Sequence, residues 1–201
     1  TRLLYRSFPL AIGLVYLVIL GVLGYAFRSV LIPLKAILLN TLTVTSAFGV
    51  ITLIFQHGLL GDLFGVPGGL GYVDSSAPLF IFAIVFGLSM DYEVFLVSRI
   101  YEGHRNGQSD RDAVVSALGT TGGVITSAAA VMLVVFSSFI LSDVVLIKTL
   151  GLGLAVAVVL DATLVRLALV PAMMSLAGRW NWWLPSRRSA RMPEQPGLSH
   201  D

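Results

Sequence analysis

The sequence predicts an all-α membrane protein with five transmembrane helices, and three observations carry that prediction. Of 201 residues, 56% are hydrophobic and only 12% are charged, against about 25% charged in a typical soluble domain. The apolar residues gather into stretches long enough to span a bilayer, which takes about 20 residues. Those stretches do not alternate apolar with polar as barrel strands do, so helices are left as the way to satisfy the backbone in lipid. The same composition excludes a water-soluble globular enzyme. It also excludes a disordered chain, which needs low hydrophobicity and high charge. There is no cysteine, and the three histidines are not paired at helical spacing. No disulfide, metal site or other cofactor is therefore expected.

The first span is Phe8–Phe27. It lacks a small-residue cleavage site and outruns a signal-peptide core. The chain opens on Thr1 rather than Met, which leads us to expect a fragment or a processed product. Leu34–Phe55 is the second span. The connection Gln56–Ser76 is rich in glycine and proline, and Leu59–Phe64 reads as a short amphipathic turn within it. Ala77–Val97 is the third span, and Thr121–Ile140 and Val144–Arg166 are the fourth and fifth. Ahead of the fourth, Ser109 is placed as an N-cap with Asp110 and Asp112 in the first turn, so that helix can begin in solvent and run into the membrane. Residues 1–178 thus form a helical bundle. Residues 179–201 are read as a cytoplasmic tail, interfacial at Arg179, Trp180, Trp182 and Trp183 and disordered beyond Pro185.

Charge sets the orientation. Arg28 and Lys35 flank the first connection. Arg99, Arg105 and Arg111 fill the third, and Arg179, Arg187, Arg188 and Arg191 the tail. The second connection has Asp62 and Asp74 and no Lys or Arg. Positive residues mark the cytoplasmic side, which puts the N-terminus outside and the C-terminus in the cytoplasm. Arg2 and Arg6 run against the rule, as they would behind a translocated upstream domain.

Ionisable residues inside spans are the candidate functional groups, since a central Asp costs about 2.5–3.5 kcal/mol to insert. Asp91 lies roughly 20 Å into the third span at 1.5 Å per residue. Ile84, Gly87, Phe95 and Ser98 share its face, and Gly87 would let a neighbouring helix approach the carboxylate closely. Glu93, about 200° away, faces other neighbours near the cytoplasmic interface. Lys148 sits at the outer end of the fifth span, where it can snorkel. Asp161 and Arg166, five residues apart, are poorly placed to face each other on an α-helix. In the fourth span, Gly119, Gly122 and Gly123 precede Thr126 and Ser127, whose hydroxyls are candidates to bond the Asp91 carboxyl. Each of these also has a purely structural reading: a fixed partner for Asp91, interfacial placement for Glu93 and Lys148, bonds to other helices for Asp161 and Arg166, and plain packing for the small residues.

The run Phe86-Gly87-Leu88-Ser89-Met90-Asp91-Tyr92-Glu93-Val94-Phe95-Leu96, with Ser98-Arg99 after it, resembles the MMPL (mycobacterial membrane protein large) family of the resistance-nodulation-division superfamily. Ala26–Ser29 with Pro33–Ala36, Gly151–Val156 leading to Leu160–Thr163, and Gly178–Pro185 resemble the same family, so the likeness reaches nearly the whole chain up to Pro185. It implies a proton-driven exporter in the plasma membrane, with twelve spans in two repeats, of which this chain would be the last five. It implies a proton relay in which Asp91 and Tyr92 form the second of two Asp-Tyr pairs, with a nearby hydroxyl at Ser127 or Thr126. The first pair and the porter domains would belong to a missing N-terminal half. The implied cargo is a lipid or hydrophobic metabolite, the coupling ion is the proton, and the expected partners are membrane lipids. Nothing points to nucleic acid, and self-association stays open. The chain is not expected to be an enzyme. Two other readings stand beside this one: an intramembrane aspartyl protease using Asp91 and Asp161, and a non-catalytic membrane scaffold.

Overall fold

The computed structural model describes residues 2–74, 76–178 and 181, so the interfacial tryptophans and the tail beyond them lie outside the described residues. The fold is all-α. Helix α1 runs Arg2–Phe27 and α2 Leu31–Ile51, and α2 continues as a π-helical turn, Thr52–Gln56. A 3-10 turn, Gly61–Phe64, lies in the connection that follows. Helix α3 is Ala77–Arg105, α4 Asp110–Phe139 and α5 Val145–Leu160. The last passes without a break into a π-helical segment, Asp161–Leu169, and then α6, Val170–Ala177. Among the described residues, four helical stretches are long and apolar enough to cross a membrane: Leu31–Gln56, Ala77–Arg105, Asp110–Phe139 and Val145–Ala177. Within α1 the corresponding apolar stretch is Ile12–Phe27.

Local chemistry explains the breaks. Between α1 and α2, Arg28 takes a left-handed φ of 48°, and Ser29 Oγ accepts the Ile32 N–H at 3.3 Å. Before α3, Asp74 Oδ1 accepts from both the backbone N–H and the hydroxyl of Ser76. Those bonds favour the carboxylate and hold the Asp74 pKa below its ordinary value. Between α3 and α4 the chain turns through Gly107 at φ 83°, and Ser109 Oγ then accepts the Asp112 N–H at 3.2 Å. The expected N-cap is in place, and the helix it starts is continuous to Phe139. The fourth helix therefore begins eleven residues before the apolar stretch read from hydropathy. The fifth outlasts Arg166 because Pro171 falls in the first turn of α6, where a missing N–H costs little.

The core lies between α2, α3 and α5. Ile51, Phe55, Ile81, Val85, Leu154 and Ala157 are its buried centre. Helix α5 reaches the core through glycine. A Cβ on Gly153 would meet Ile81 Cδ1 at 2.6 Å, and one on Gly151 would meet Phe139 Cβ at 2.6 Å and the Phe136 carbonyl oxygen at 2.7 Å. Helix α4, by contrast, leaves most of its apolar surface uncovered. The connection between α2 and α3 folds on itself, with Gly58 and Gly69 in direct backbone contact, and Lys148 Nζ donates to the Phe64 carbonyl at 2.9 Å. Lys148 is thus bound to this loop as well as being near the end of its span.

Two expectations follow. The tight α4–α5 approach depends on Gly151, so Gly151→Leu should sharply lower the amount of folded protein in the membrane, while Gly87→Ala, which meets open space, leaves it near wild type. Quantitative immunoblotting of membranes checks both. For orientation, single cysteines in the cysteine-free chain at the exposed positions Asp62 and Arg105 should differ in intact cells. An impermeant maleimide should label position 62 and spare 105, and the reverse pattern would invert the topology.

Candidate functional site

A buried polar cluster sits where α3 crosses the π-helical end of the last helix. Arg166 and Asp161 are 3% and 8% exposed. Asp161 Oδ2 accepts from Arg166 Nε at 2.8 Å and lies 2.6 Å from Nη2 in an ion pair. Its other oxygen, Oδ1, accepts the Ser89 hydroxyl at 2.8 Å. Arg166 Nη2 also donates to the Ser89 backbone oxygen at 2.9 Å, so one guanidinium ties two helices together. The Tyr92 ring lies over that guanidinium, its centroid 4.8 Å from Cζ, a cation–π distance.

This pairing corrects the sequence expectation that Asp161 and Arg166 do not face each other. On an α-helix, residues five apart are about 140° out of alignment. The segment is a π-helix from Asp161 to Leu169, whose i→i+5 ladder brings such residues back toward one face. Ser89 belongs to the motif quoted for the family resemblance but had not been weighed as a site residue. A lone serine on an apolar span, two residues before the aspartate, was the available signal.

Glu93 is buried, 9% exposed. Asn40, at the centre of α2 and 1% exposed, donates from Nδ2 to Glu93 Oε2 at a long 3.4 Å. Asp91 is on the opposite side of α3. It is exposed, as are Ile84, Gly87, Phe95 and Ser98, so the face read from helical spacing is a real one. Among the described residues no helix covers it: a Cβ on Gly87 would meet nothing within 4 Å. Among the described residues Asp91 has no hydrogen-bond or ion-pair partner. Thr126 and Ser127 do not bond it. Their hydroxyls donate to carbonyls of their own helix, Gly122 and Gly123. Nor do Asp91 and Asp161 form a shared-proton dyad, because the Asp161 oxygens are engaged by Ser89 and Arg166.

Beside the cluster is a small, partly open apolar pocket between α3, α4 and α5. Leu88, Ile125, Met132 and Ala157 form its walls, and Tyr92, Asp161 and Arg166 border it. Among the described residues no group of His, Cys, Asp and Glu is arranged to hold a metal ion.

Comparison with known proteins gives a consistent picture. The family model described as "MMPL family" matches residues 5–196. The chain is 42% identical over 186 residues to the mycolic acid-containing lipids exporter MmpL11 of Mycolicibacterium smegmatis, a match covering 92% of this chain and 19% of that protein. It is 40% identical over 198 residues to the trehalose monomycolate exporter MmpL3 of Mycobacterium tuberculosis, covering 97% of this chain and 20% of that one. It is also 42% identical over 177 residues to the heme uptake protein MmpL11 of Mycobacterium tuberculosis, covering 88% and 18%. The chain thus spans about a fifth of the length of these relatives.

The ion pair makes a definite energetic prediction. Removing one partner of a buried pair leaves an uncompensated charge and costs about 3–5 kcal/mol, whereas replacing both is far milder. Arg166→Met and Asp161→Leu should each lower thermal stability strongly in detergent-purified protein, and the double variant should recover most of that loss. Additive losses in the double-mutant cycle would mean that the two side chains act independently.

Proposed function

The chain belongs to the MMPL family, and from that membership we propose that it forms the C-terminal transmembrane half of a proton-motive-force-driven exporter of lipids or hydrophobic metabolites. In this reading Asp91 and Tyr92 contribute to the proton relay, the protein lies in the plasma membrane, and its C-terminus is cytoplasmic. The cargo class follows the relatives named for mycolic acid-containing lipids and for trehalose monomycolate. Another relative is named for heme uptake.

The observation that carries the reading is the position of Asp91: an ionisable side chain with no partner among the described residues, on the exposed face of an apolar helix. Against hydrocarbon it would cost about 2.5–3.5 kcal/mol. Intramembrane ionisable residues instead face a bundle interior or a water-filled cavity. The exposed faces of α3 and α4 are then where the remainder of the transporter packs, and Asp91 meets its partner there. When a proton binds Asp91 the charge is lost, the bonds that depended on it weaken, and the two half-bundles shift. Tyr92 connects this event to the interior. It follows Asp91 directly on α3, and its ring lies on the Arg166 guanidinium, so a movement at Asp91 is felt at the ion pair that joins α3 to the last helix.

Asn has nearly the shape of Asp and keeps hydrogen-bonding capacity, but it cannot cycle a proton. Asp91→Asn in the full-length transporter should therefore reach the membrane at wild-type level and lose at least nine-tenths of export, measured as acetate-labelled lipid in the surface-extractable fraction. Tyr92→Phe preserves the ring over Arg166 and removes only the hydroxyl, so its defect isolates that group. Normal export by Asp91→Asn would leave the aspartate a structural role and would favour the scaffold reading.

A further inference from the structure

Glu93 is the one carboxylate in the spans that is buried and lacks a cation within ion-pair distance among the described residues. Its surroundings suit a group that changes protonation. Asn40 holds it by a single weak bond through Nδ2, while Asn40 Oδ1 is buried and has no partner. An amide offers two donors on one side and an acceptor on the other. In the orientation seen, it gives N–H to a carboxylate. Rotated by half a turn, the same amide offers its oxygen to the O–H of a carboxylic acid. One residue can therefore satisfy Glu93 in both protonation states, and the spare oxygen is accounted for.

The position of this pair within the bundle supplies a path. On the cytoplasmic side, Glu93 and Lys35 line one small cavity together with Leu39, Val97, Met173 and Met174. Lys35 is half-buried and donates to the Met173 carbonyl and to Asn181 Oδ1. On the inner side, a second cavity bordered by Leu96, Val165 and Val170 joins Glu93 to Ser89, Asp161 and Arg166. The charged and titratable groups facing Glu93 are thus Asp161 and Arg166 from the π-helical segment and Lys35 from α2. Helix α6 presents apolar residues.

We infer that Glu93, with Asn40 as its positioning residue, is a second proton-binding station inside this half-bundle, linking the Ser89–Asp161–Arg166 cluster to the cytoplasmic end of α2. The inference rests on the proton-coupled reading above and adds an interior station to the exposed Asp91. A proton arriving at Glu93 forms the O–H, is held by the rotated Asn40 amide, and leaves through the Lys35 cavity with no other bond made or broken.

The test is proton uptake by proteoliposomes of the full-length transporter, read with an entrapped pH dye, alongside membrane level. Glu93→Gln should reduce uptake at least tenfold at near-normal level. Glu93→Asp should restore a substantial part of it, and Asn40→Leu should shift the pH profile of uptake rather than abolish it. Met173→Phe narrows the Lys35 cavity while keeping the backbone carbonyl that Lys35 bonds, and should slow uptake several-fold. If Glu93→Gln fails to accumulate, Met173→Phe decides: unchanged uptake would overturn the path. Asp91→Asn is the control that separates the two claims. Uptake lost in Asp91→Asn but wild-type in Glu93→Gln overturns the interior station alone, while wild-type uptake in both overturns proton coupling itself.

Discussion

The buried ion pair between Asp161 and Arg166 is the constraint on which the rest of this bundle depends. A guanidinium and a carboxylate inside an apolar helix pair are tolerable only with good geometry and further hydrogen bonds. Here both conditions are met by distorting the helix itself. The π-helical segment brings the two residues onto one face, and the same Arg166 Nη2 also holds the Ser89 carbonyl of α3. The register between α3 and the last helix is therefore set by charge, while the glycine contacts at Gly151 and Gly153 set the distance at which α5 approaches its neighbours. A π-helical segment of this kind is uncommon in proteins and tends to occur at functional sites, in keeping with the only ion pair that is buried among the described residues lying within it.

Helix α3 separates two chemistries by its period. Asp91 and Glu93 are two residues apart and face opposite sides, one open and one enclosed. Tyr92 lies between them in sequence and stacks on Arg166, so the aromatic ring touches the interior while its neighbour's carboxylate is outside. A rigid helix that carries a charged group on each side transmits a change on one side as a displacement on the other, because packed interiors resist compression. That property makes α3 a suitable element for coupling, independent of which cargo is moved.

How much of this was legible in the sequence divides along physical lines. Four of the five spans, the Ser109 cap and the set of residues that share a face with Asp91 follow from period and propensity, and the structure has them, whereas the exposure of that face was not foreseen. The ion pair was misread because an ideal α-helix was assumed at Asp161–Arg166, and no sequence rule used here signals a π-helical ladder. Gly87 was expected to mark a close approach because it precedes Asp91 by one turn; no described residue of this chain lies against it, and the close approaches within the chain are at Gly151 and Gly153. Helical spacing tells which residues share a face, but not which face meets another helix. Asn40 was passed over as one polar residue in an apolar span, since its value lies in a partner 53 positions away.

The polar groups on the open side differ in what they require. Thr120, Thr126 and Ser127 donate to carbonyls of α4 itself. Each hydroxyl is thereby satisfied in hydrocarbon while retaining acceptor capacity for a partner. That face is stable whether it meets lipid or protein. Asp91 has no such internal solution, because a carboxylate accepts and does not donate, and the N–H groups of its own helix are committed to the ladder. The small-residue face of α4 thus permits close contact, whereas Asp91 demands a donor, a cation or water. Of the two, the aspartate is the group that selects what comes to lie against this half-bundle.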